Sequence, residues 1–455
     1  MLIRFSVENF LSFRNRQSFS LIPGKGTIKS HHKTTPVNKI STLKTAVVFG
    51  ANASGKSNLI KSIAFGKKMV LRGTKPNTKI IFQNFRLDDE YALKDSRLEY
   101  EIQHNGKNYA YGFVFNRNEI VEEWLYVISK SSEKKIFERD NRLKDAFNLD
   151  ELFKKNKNKE QQQFLKFVAK GTPNNQLFLN EISTRKVKEN VSDITDLMNV
   201  IDWFLNALKV ILPEDKYNVG LRFELKDDQQ LLKSFEEFLK YFDTGISGVC
   251  LVPVETNEMD LPNALIERIK EDLLNQQLEE VRASFLSFDN KTYFASIREQ
   301  EVVFQKFMTK HKSSNKEEEL FDTSDESDGT NRIIDFIPIL MDLLSGNNVF
   351  IIDEMERSLH PNLIYDLLDL YLAKSTYINS QLIVASHESS LLTQKLLRKD
   401  EIWFTIKDEN GATKLHALEE YNIRFDKQIR KDYLLGRFKA VPRLGNRKKL
   451  TTLPN

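Results

Sequence analysis

Between Leu2 and Phe10 the apolar residues Ile3, Phe5 and Val7 alternate with polar ones, and a second alternating stretch, Ser18 to Ile22, stops at Pro23 and Gly24. A period of two predicts half-buried strands, and the two stretches read as an antiparallel pair. Thr45 to Phe49 is a short, continuous, largely apolar run of the kind covered on both faces in a parallel sheet, and it leads directly into Gly50. From Ser57 to about Val70 the spacing turns helical. Strand periodicity returns over 97–130, with Leu98, Tyr100 and Ile102 on one face, a turn at Asn105-Gly106, then Tyr109, Tyr111, Phe113 and Phe115. From about 140 to 210 apolar residues such as Phe164, Phe167 and Val168 recur at helical spacing, and long helices are predicted at 229–242 and 262–285. Residues 310–328 are charged and poor in apolar side chains, which reads as a mobile surface segment. After it helix, strand, helix and strand follow one another to about 407, as in the second half of an α/β sheet.

The chain has 455 residues, room for two to four domains and a sizeable core. Its 68 Lys and Arg nearly balance its 64 Asp and Glu, so the net charge of +4 neither indicates a polyanionic partner nor rules one out. Apolar residues at 40% are too many for an intrinsically disordered chain. One cysteine, Cys250, excludes an internal disulfide and a cysteine-based zinc site, which fits a reducing cytoplasm. The N-terminus lacks an apolar signal core, and no stretch approaches the roughly 18 to 20 apolar residues of a membrane span. A cytoplasmic protein without a membrane partner is expected.

Gly50-Ala51-Asn52-Ala53-Ser54-Gly55-Lys56-Ser57 fits G-x-x-x-x-G-K-[ST], between a predicted strand and a predicted helix. The glycines let the backbone curl so that successive N–H groups converge on phosphate oxygens, and the helix start adds partial positive charge. Lys56 then reaches the β- and γ-phosphates and Ser57 ligates Mg²⁺. Downstream, the buried-strand run Asn348 to Ile352 ends in Asp353-Glu354. Next to a phosphate loop, Asp353 is the expected Mg²⁺ ligand and Glu354 the catalytic carboxylate that positions or deprotonates water. Gln381 to Ala385 ends in Ser386-His387, where His387 can donate to a γ-phosphate oxygen and sense ATP against ADP. Ser327-Asp328-Gly329-Thr330 opens a further predicted helix. By itself that pattern reads as an N-cap and a turn, and after a phosphate loop it reads as a second anion-binding helix start.

This order of motifs resembles that of ABC-type ATPases, and the long insertion resembles the SMC and RecF branch. The chain looks most similar to bacterial stand-alone ATPases of the RloA and AbiLi type. The resemblance is carried by Val7-Glu8-Asn9-Phe10-Leu11-Ser12-Phe13, the phosphate loop through Asn58, Phe242-Asp243-Thr244-Gly245-Ile246, Ser327 to Thr330, Asp353-Glu354 and Gly436 to Pro442. It implies an α/β fold: an ABC-type P-loop ATPase head with antiparallel N-terminal strands and a large, mainly helical insertion. The expected divisions are 1–135 for the first half of the head, 136–310 for the insertion and 311–455 for the second half. It also implies ATP and Mg²⁺ as cofactors. Gly50, Asn52, Ala53, Ser54, Gly55, Lys56, Ser57 and Asn58 of one protomer would bind the nucleotide together with Ser327 and Gly329 of another, in a head-to-tail homodimer or a higher homo-oligomer.

Such proteins are implicated in abortive infection and phage defence, where the ATPase controls a separately encoded effector, a nuclease or toxin. The alternative is an SMC- or RecF-like ATPase acting on DNA, for which Arg437, Lys439, Arg443, Arg447, Lys448 and Lys449 offer phosphate contacts; as solvated surface charge the same residues need no partner. Nucleic acid therefore stays open as a partner. The stretch after His387 is shorter than the roughly 100 residues of a nuclease domain, so cleavage by the same chain is not expected. Asp328 departs from the glycine that transport ATPases carry there and sets an extra carboxylate beside a triphosphate.

Overall fold

The computed structural model describes residues 1–217, 221–275, 283–288, 291–298, 301–421 and 429–442. Arg443, Arg447, Lys448 and Lys449 lie outside them. The chain forms two compact units: Met1–Pro213 with Leu343–Glu356 and the residues from Tyr365 on, and Glu214–Asp342 with Arg357–Ile364.

The first unit is built on a six-stranded sheet, in the order Thr413–Ala417, Ile402–Lys407, Thr45–Gly50, Gln381–Ala385, Val349–Ile352 and Leu208–Ile211. All neighbours are parallel except the first pair. Thr45–Gly50, Val349–Ile352 and Gln381–Ala385 are buried along their whole length, which is why their sequences are continuously apolar rather than alternating. In register, Val47 lies opposite Val384, and Val384 opposite Ile352. The three strands therefore end together, and the loops that follow Gly50, Ile352 and Ala385 share one edge of the sheet. That is where parallel α/β sheets bind ligands.

A second, antiparallel sheet of seven strands holds the predicted N-terminal pair, Leu2–Glu8 with Gln17–Ser20, and continues from Ser96–His104 to Phe147–Asn148. The helix Lys56–Arg72 packs against it. A Cβ at Gly66 would lie 2.0 Å from the Tyr100 hydroxyl, so the close approach of helix to sheet requires glycine there. One core joins Val48, Ile60 and Ile63 to Phe5, Tyr100 and Phe115, and also to Phe178, Leu197 and Trp203. The division expected at 136 is thus not where the compact units part. The strand Glu133–Asp140 crosses it, and Phe137 and Phe147 pack on Phe178 with ring centroids 5.1 and 5.2 Å apart. These aromatic anchors draw the helices between 150 and 202 into the first unit, and the second begins at 214.

The second unit contains the helices Gln229–Tyr241 and Asn263–Asn275 and an antiparallel sheet of Gly248–Pro253, Ala283–Phe288, Lys291–Arg298, Glu301–Lys312 and Glu318–Asp322. The expected insertion starts with the end of the strand Glu133–Asp140 and the strand Phe147–Asn148, is mainly helical from 150 to 207, and beyond that carries Leu208–Ile211 and this sheet. The helix expected over 262–285 ends at Asn275, and Ala283–Phe288 pairs with Lys291–Arg298, Phe285 opposite Phe294. Within the charged segment 310–328, residues 310–312 and 318–322 are strand and pair antiparallel. Its charges face each other across the strands, Lys310 with Glu318 at 3.1 Å and Lys306 with Asp322. Among the described residues no helix is long and apolar enough to cross a membrane.

One buried pair in the first unit makes stability depend on pH. His32 Nδ1 lies 2.8 Å from Glu401 Oε1, and both side chains are almost wholly excluded from solvent. Burial lowers the His32 pKa to about 3 and raises the Glu401 carboxyl well above the carboxylate range, so the folded pair is neutral and holds one proton. Above pH 6.5, the ordinary histidine value, the unfolded pair holds none, and stability falls as pH rises. Below 4.5, the ordinary glutamate value, it holds two, and stability falls as pH drops; in between the pair contributes no slope. Glu401→Gln keeps a donor for Nδ1 that does not titrate. Denaturant unfolding at neutral and alkaline pH should show a flatter decline than wild type, by on the order of 1 kcal/mol per pH unit. An unchanged slope would place the shared proton elsewhere.

Candidate functional site

The loop Ala51–Gly55 leaves the end of Thr45–Gly50 and enters the helix Lys56–Arg72. Its curl depends on Ala53 at φ 61° and Gly55 at φ 114°. Both glycines are also hemmed in: a Cβ at Gly50 would come within 2.7 Å of the Thr405 carbonyl oxygen, and one at Gly55 within 2.2 Å of Thr413 Oγ1. The side chains of the loop are engaged in holding its shape. Ser54 Oγ pairs with Thr405 Oγ1 at 2.6 Å, Thr413 Oγ1 donates to the Ser54 carbonyl at 2.8 Å, and Asn58 Nδ2 donates to Ser12 Oγ at 2.7 Å. Ser54 and Asn58, expected to bind nucleotide, therefore spend these side-chain groups on the strand residue Thr405 and on Ser12 of the N-terminal turn, and the Ser54 N–H donates to the Ala51 carbonyl at 3.1 Å. Ser12, Thr405 and Thr413 were not singled out as site residues. Ser12 stands in the quoted N-terminal motif, whereas nothing in the sequence around Thr405 or Thr413 marks them.

Lys56 is buried, and its ammonium donates to the carbonyls of Gly50 at 2.8 Å and Ala51 at 3.3 Å. Loss of hydration pulls its pKa down to about 8, against the upward pull of Glu356, Asp353 and Glu354 in that order. His387 Nδ1 lies 3.4 Å from Lys56 Nζ. Burial and then Lys56 lower the His387 pKa, so the imidazole is neutral at pH 7. With Nδ1 turned to an ammonium, the ring proton belongs on Nε2, where it can be donated to a ligand.

Asp353 is 1% exposed; its backbone N–H donates to Ile211, and neither carboxylate oxygen has a partner at hydrogen-bond geometry. Burial raises its pKa, and the neighbouring Ser57 hydroxyl opposes the shift. A buried carboxylate with both oxygens unengaged is costly unless a cation completes it. Asp353 and the Ser57 hydroxyl are the hard oxygen donors that Mg²⁺ takes alongside phosphate oxygens and water. Among the described residues no group of three or more His, Cys, Asp or Glu could hold a metal unaided, so an ion here would share its coordination with a ligand. Glu354 follows at φ 49°, a left-handed conformation that a residue with a Cβ adopts only under constraint.

The sheet edge thus unites Gly50 to Asn58, Asp353, Glu354 and His387. Ser327 and Gly329 belong to the second unit. Ser327 Oγ accepts from the Thr330 N–H at 3.1 Å and so caps the helix Asp328–Ser345, while a Cβ at Gly329 would lie 2.9 Å from the Ser358 carbonyl oxygen. A third carboxylate, Glu356, was not among the residues assigned to the site from the sequence, and it also reaches the sheet edge. Its Oε1 accepts the His387 backbone N–H at 2.5 Å.

The family model described as "AAA domain, putative AbiEii toxin, Type IV TA system" matches residues 46–393. Similar solved structures include the SMC head domain from Thermotoga maritima, at 11% identity over 91% of this chain and 98% of that one, with a TM-score of 0.37. A second is the SMC head bound to the C-terminal winged-helix domain of ScpA, at 12% identity, 92% and 98% coverage and a TM-score of 0.39. A third is an SMC head with an extended coiled coil, bound to the C-terminal domain of ScpA derived from Pyrococcus furiosus, at 11% identity, 96% and 99% coverage and a TM-score of 0.30. No curated protein matches the chain.

Proposed function

The chain belongs to the family described as "AAA domain, putative AbiEii toxin, Type IV TA system", which makes it a P-loop ATPase, and from that premise we propose a nucleotide-driven switch that hydrolyses MgATP between two copies of itself. One observation carries the reading. The loop lysine, a buried carboxylate with unengaged oxygens and a neutral histidine converge on one sheet edge. Phosphates entering the loop would meet its backbone N–H groups, and Lys56 would exchange the Gly50 and Ala51 carbonyls for phosphate oxygens. Ser57 and Asp353 would hold Mg²⁺, which when bound supplies positive charge to the phosphate oxygens. Glu354 takes the role of accepting the proton of the attacking water, and His387 that of donating Nε2–H to a γ-phosphate oxygen. Ser327 and Gly329 from the partner copy would complete the site with their helix start.

On the resemblance of its motifs to the RloA and AbiLi type, the switch is assigned to abortive infection. There it would control a separately encoded effector in the cytoplasm, its nucleotide state setting whether the effector is restrained. The measurement is the mass of the purified protein with and without MgATP, for wild type and Glu354→Gln. The expected result is a monomer without nucleotide and a dimer of Glu354→Gln with MgATP, bringing a neighbouring gene product with it. A protein that stays monomeric in every state would overturn the sandwich, and one that dimerises and shifts DNA would move the assignment to the repair-type alternative.

A further inference from the structure

Three carboxylates follow the strand Val349–Ile352 within four residues, Asp353, Glu354 and Glu356, and the assigned chemistry uses only two. Glu356 is the one that touches the histidine strand. Its Oε1 accepts the backbone N–H of His387 at 2.5 Å, which joins the turn after the acidic strand to the turn after Gln381–Ala385 across the sheet edge. Its Oε2 is buried without a hydrogen-bond partner. We propose that Glu356 is a positioning residue for the switch: its carboxylate fixes the backbone at His387 and thereby sets where the imidazole stands relative to Lys56 and an incoming γ-phosphate. The proposal rests on the nucleotide-site reading above.

The geometry gives the bond leverage. Ser386 is held on its other side, its N–H donating to the Val48 carbonyl at 3.0 Å in the phosphate-loop strand, so the chain at 386–387 is pinned between the loop strand and Glu356. With both pins in place the ring hangs from a fixed Cα, and Nδ1 comes within 3.4 Å of Lys56 Nζ. Remove the Glu356 pin and the His387 N–H, at the end of its strand, has no partner left among the contacts described. Glu356 also stands first among the carboxylates that act on Lys56, ahead of Asp353 and Glu354, so the same side chain faces both partners of the 3.4 Å contact. Its charge and its hydrogen bond are separable. Glutamine keeps an oxygen that accepts the N–H and removes the charge, whereas alanine removes both.

The test uses the full chain in two parts. Backbone ¹⁵N labelling of the seven histidines gives few signals, and that of His387 is identified by its loss in His387→Gln. Without nucleotide, solvent exchange of this amide should be roughly tenfold faster in Glu356→Ala than in wild type, and close to wild type in Glu356→Gln. In ATP turnover, Glu356→Ala should lower kcat roughly tenfold with KM within about twofold, and Glu356→Gln should recover most of the loss. The double variant Glu356→Ala/His387→Ala should be no slower than His387→Ala alone. Unchanged amide exchange in Glu356→Ala would overturn the proposal, as would equal losses in the alanine and glutamine variants, or losses that add to that of His387→Ala. Should wild type show no turnover and Lys56→Ala bind ATP as wild type does, the nucleotide reading fails, and the exchange experiment still decides whether Glu356 holds His387.

Discussion

Lys56→Met is expected to lose MgATP binding while making the free protein more stable. In the free protein the ammonium is buried against two carbonyls and a neutral histidine, and burial holds its pKa near 8 instead of 10.5. A lysine whose pKa is lower folded than unfolded opposes folding wherever the unfolded chain keeps the proton more readily. The penalty is full below pH 8 and fades as pH rises toward 10.5. Methionine fills a similar volume without a charge to desolvate, so the variant should gain on the order of 1 kcal/mol at pH 7, with the gain shrinking at alkaline pH. The same change removes a charged donor to phosphate, a loss of about 1.5 to 3 kcal/mol, or roughly 10- to 150-fold in affinity. Thermal unfolding with and without MgATP reads both effects at once. Wild type should show a nucleotide-dependent rise in Tm, and Lys56→Met a higher starting Tm with little or no rise. A variant that is less stable without nucleotide would mean that the lysine's contacts outweigh its desolvation, and a full nucleotide shift would remove Lys56 from the phosphate site.

That cost explains why this part of the molecule was the easiest to read in the sequence. A phosphate loop needs glycine where the backbone has no room for a Cβ, a lysine at its helix start and a buried strand before it, and each requirement leaves a residue type at a fixed spacing. The strands Thr45–Gly50, Val349–Ile352 and Gln381–Ala385 were legible for the same reason, since burial on both faces requires a continuous apolar run. The second unit was not. Ala283–Phe288 mixes serine with aromatic residues and has neither a clean period of two nor of 3.6, so only its pairing with Lys291–Arg298 makes it a strand. The charged segment after 310 looked like a loop because its stabilising partners, Lys310 with Glu318 and Lys306 with Asp322, become visible only once two strands lie side by side. The limit of the first unit was hidden likewise, because Phe178 reads as one helix residue among many until Phe137 and Phe147 close on it. No place in the site was legible for Glu356, because its contact is with a backbone amide 31 residues away, and no pattern of side chains records that.

Glu354→Gln is expected to leave MgATP binding within a few-fold of wild type and to slow hydrolysis by roughly 10² to 10⁴, the usual range for losing a general base. Position argues for this residue over its two acidic neighbours. Asp353 is buried beside Ser57 with both oxygens unengaged, the setting of a cation ligand. Glu356 has one oxygen on the His387 N–H. Glu354 is only half-buried, and its left-handed backbone ends the strand geometry directly after Asp353. Glutamine is close in size and can adopt the same backbone, so the substitution tests proton acceptance without disturbing the loop. Single-turnover hydrolysis separates binding from chemistry, and the two should part company: unchanged saturation by MgATP, with a rate constant lower by at least about 100-fold. If Glu354→Gln turns over within a few-fold of wild type while Glu356→Gln does not, proton acceptance belongs to Glu356, and its bond to His387 must then open during the reaction. If Asp353→Asn lowers affinity for Mg²⁺ but not for ATP in the absence of metal, the buried carboxylate is the cation ligand and the three acidic residues have three different functions.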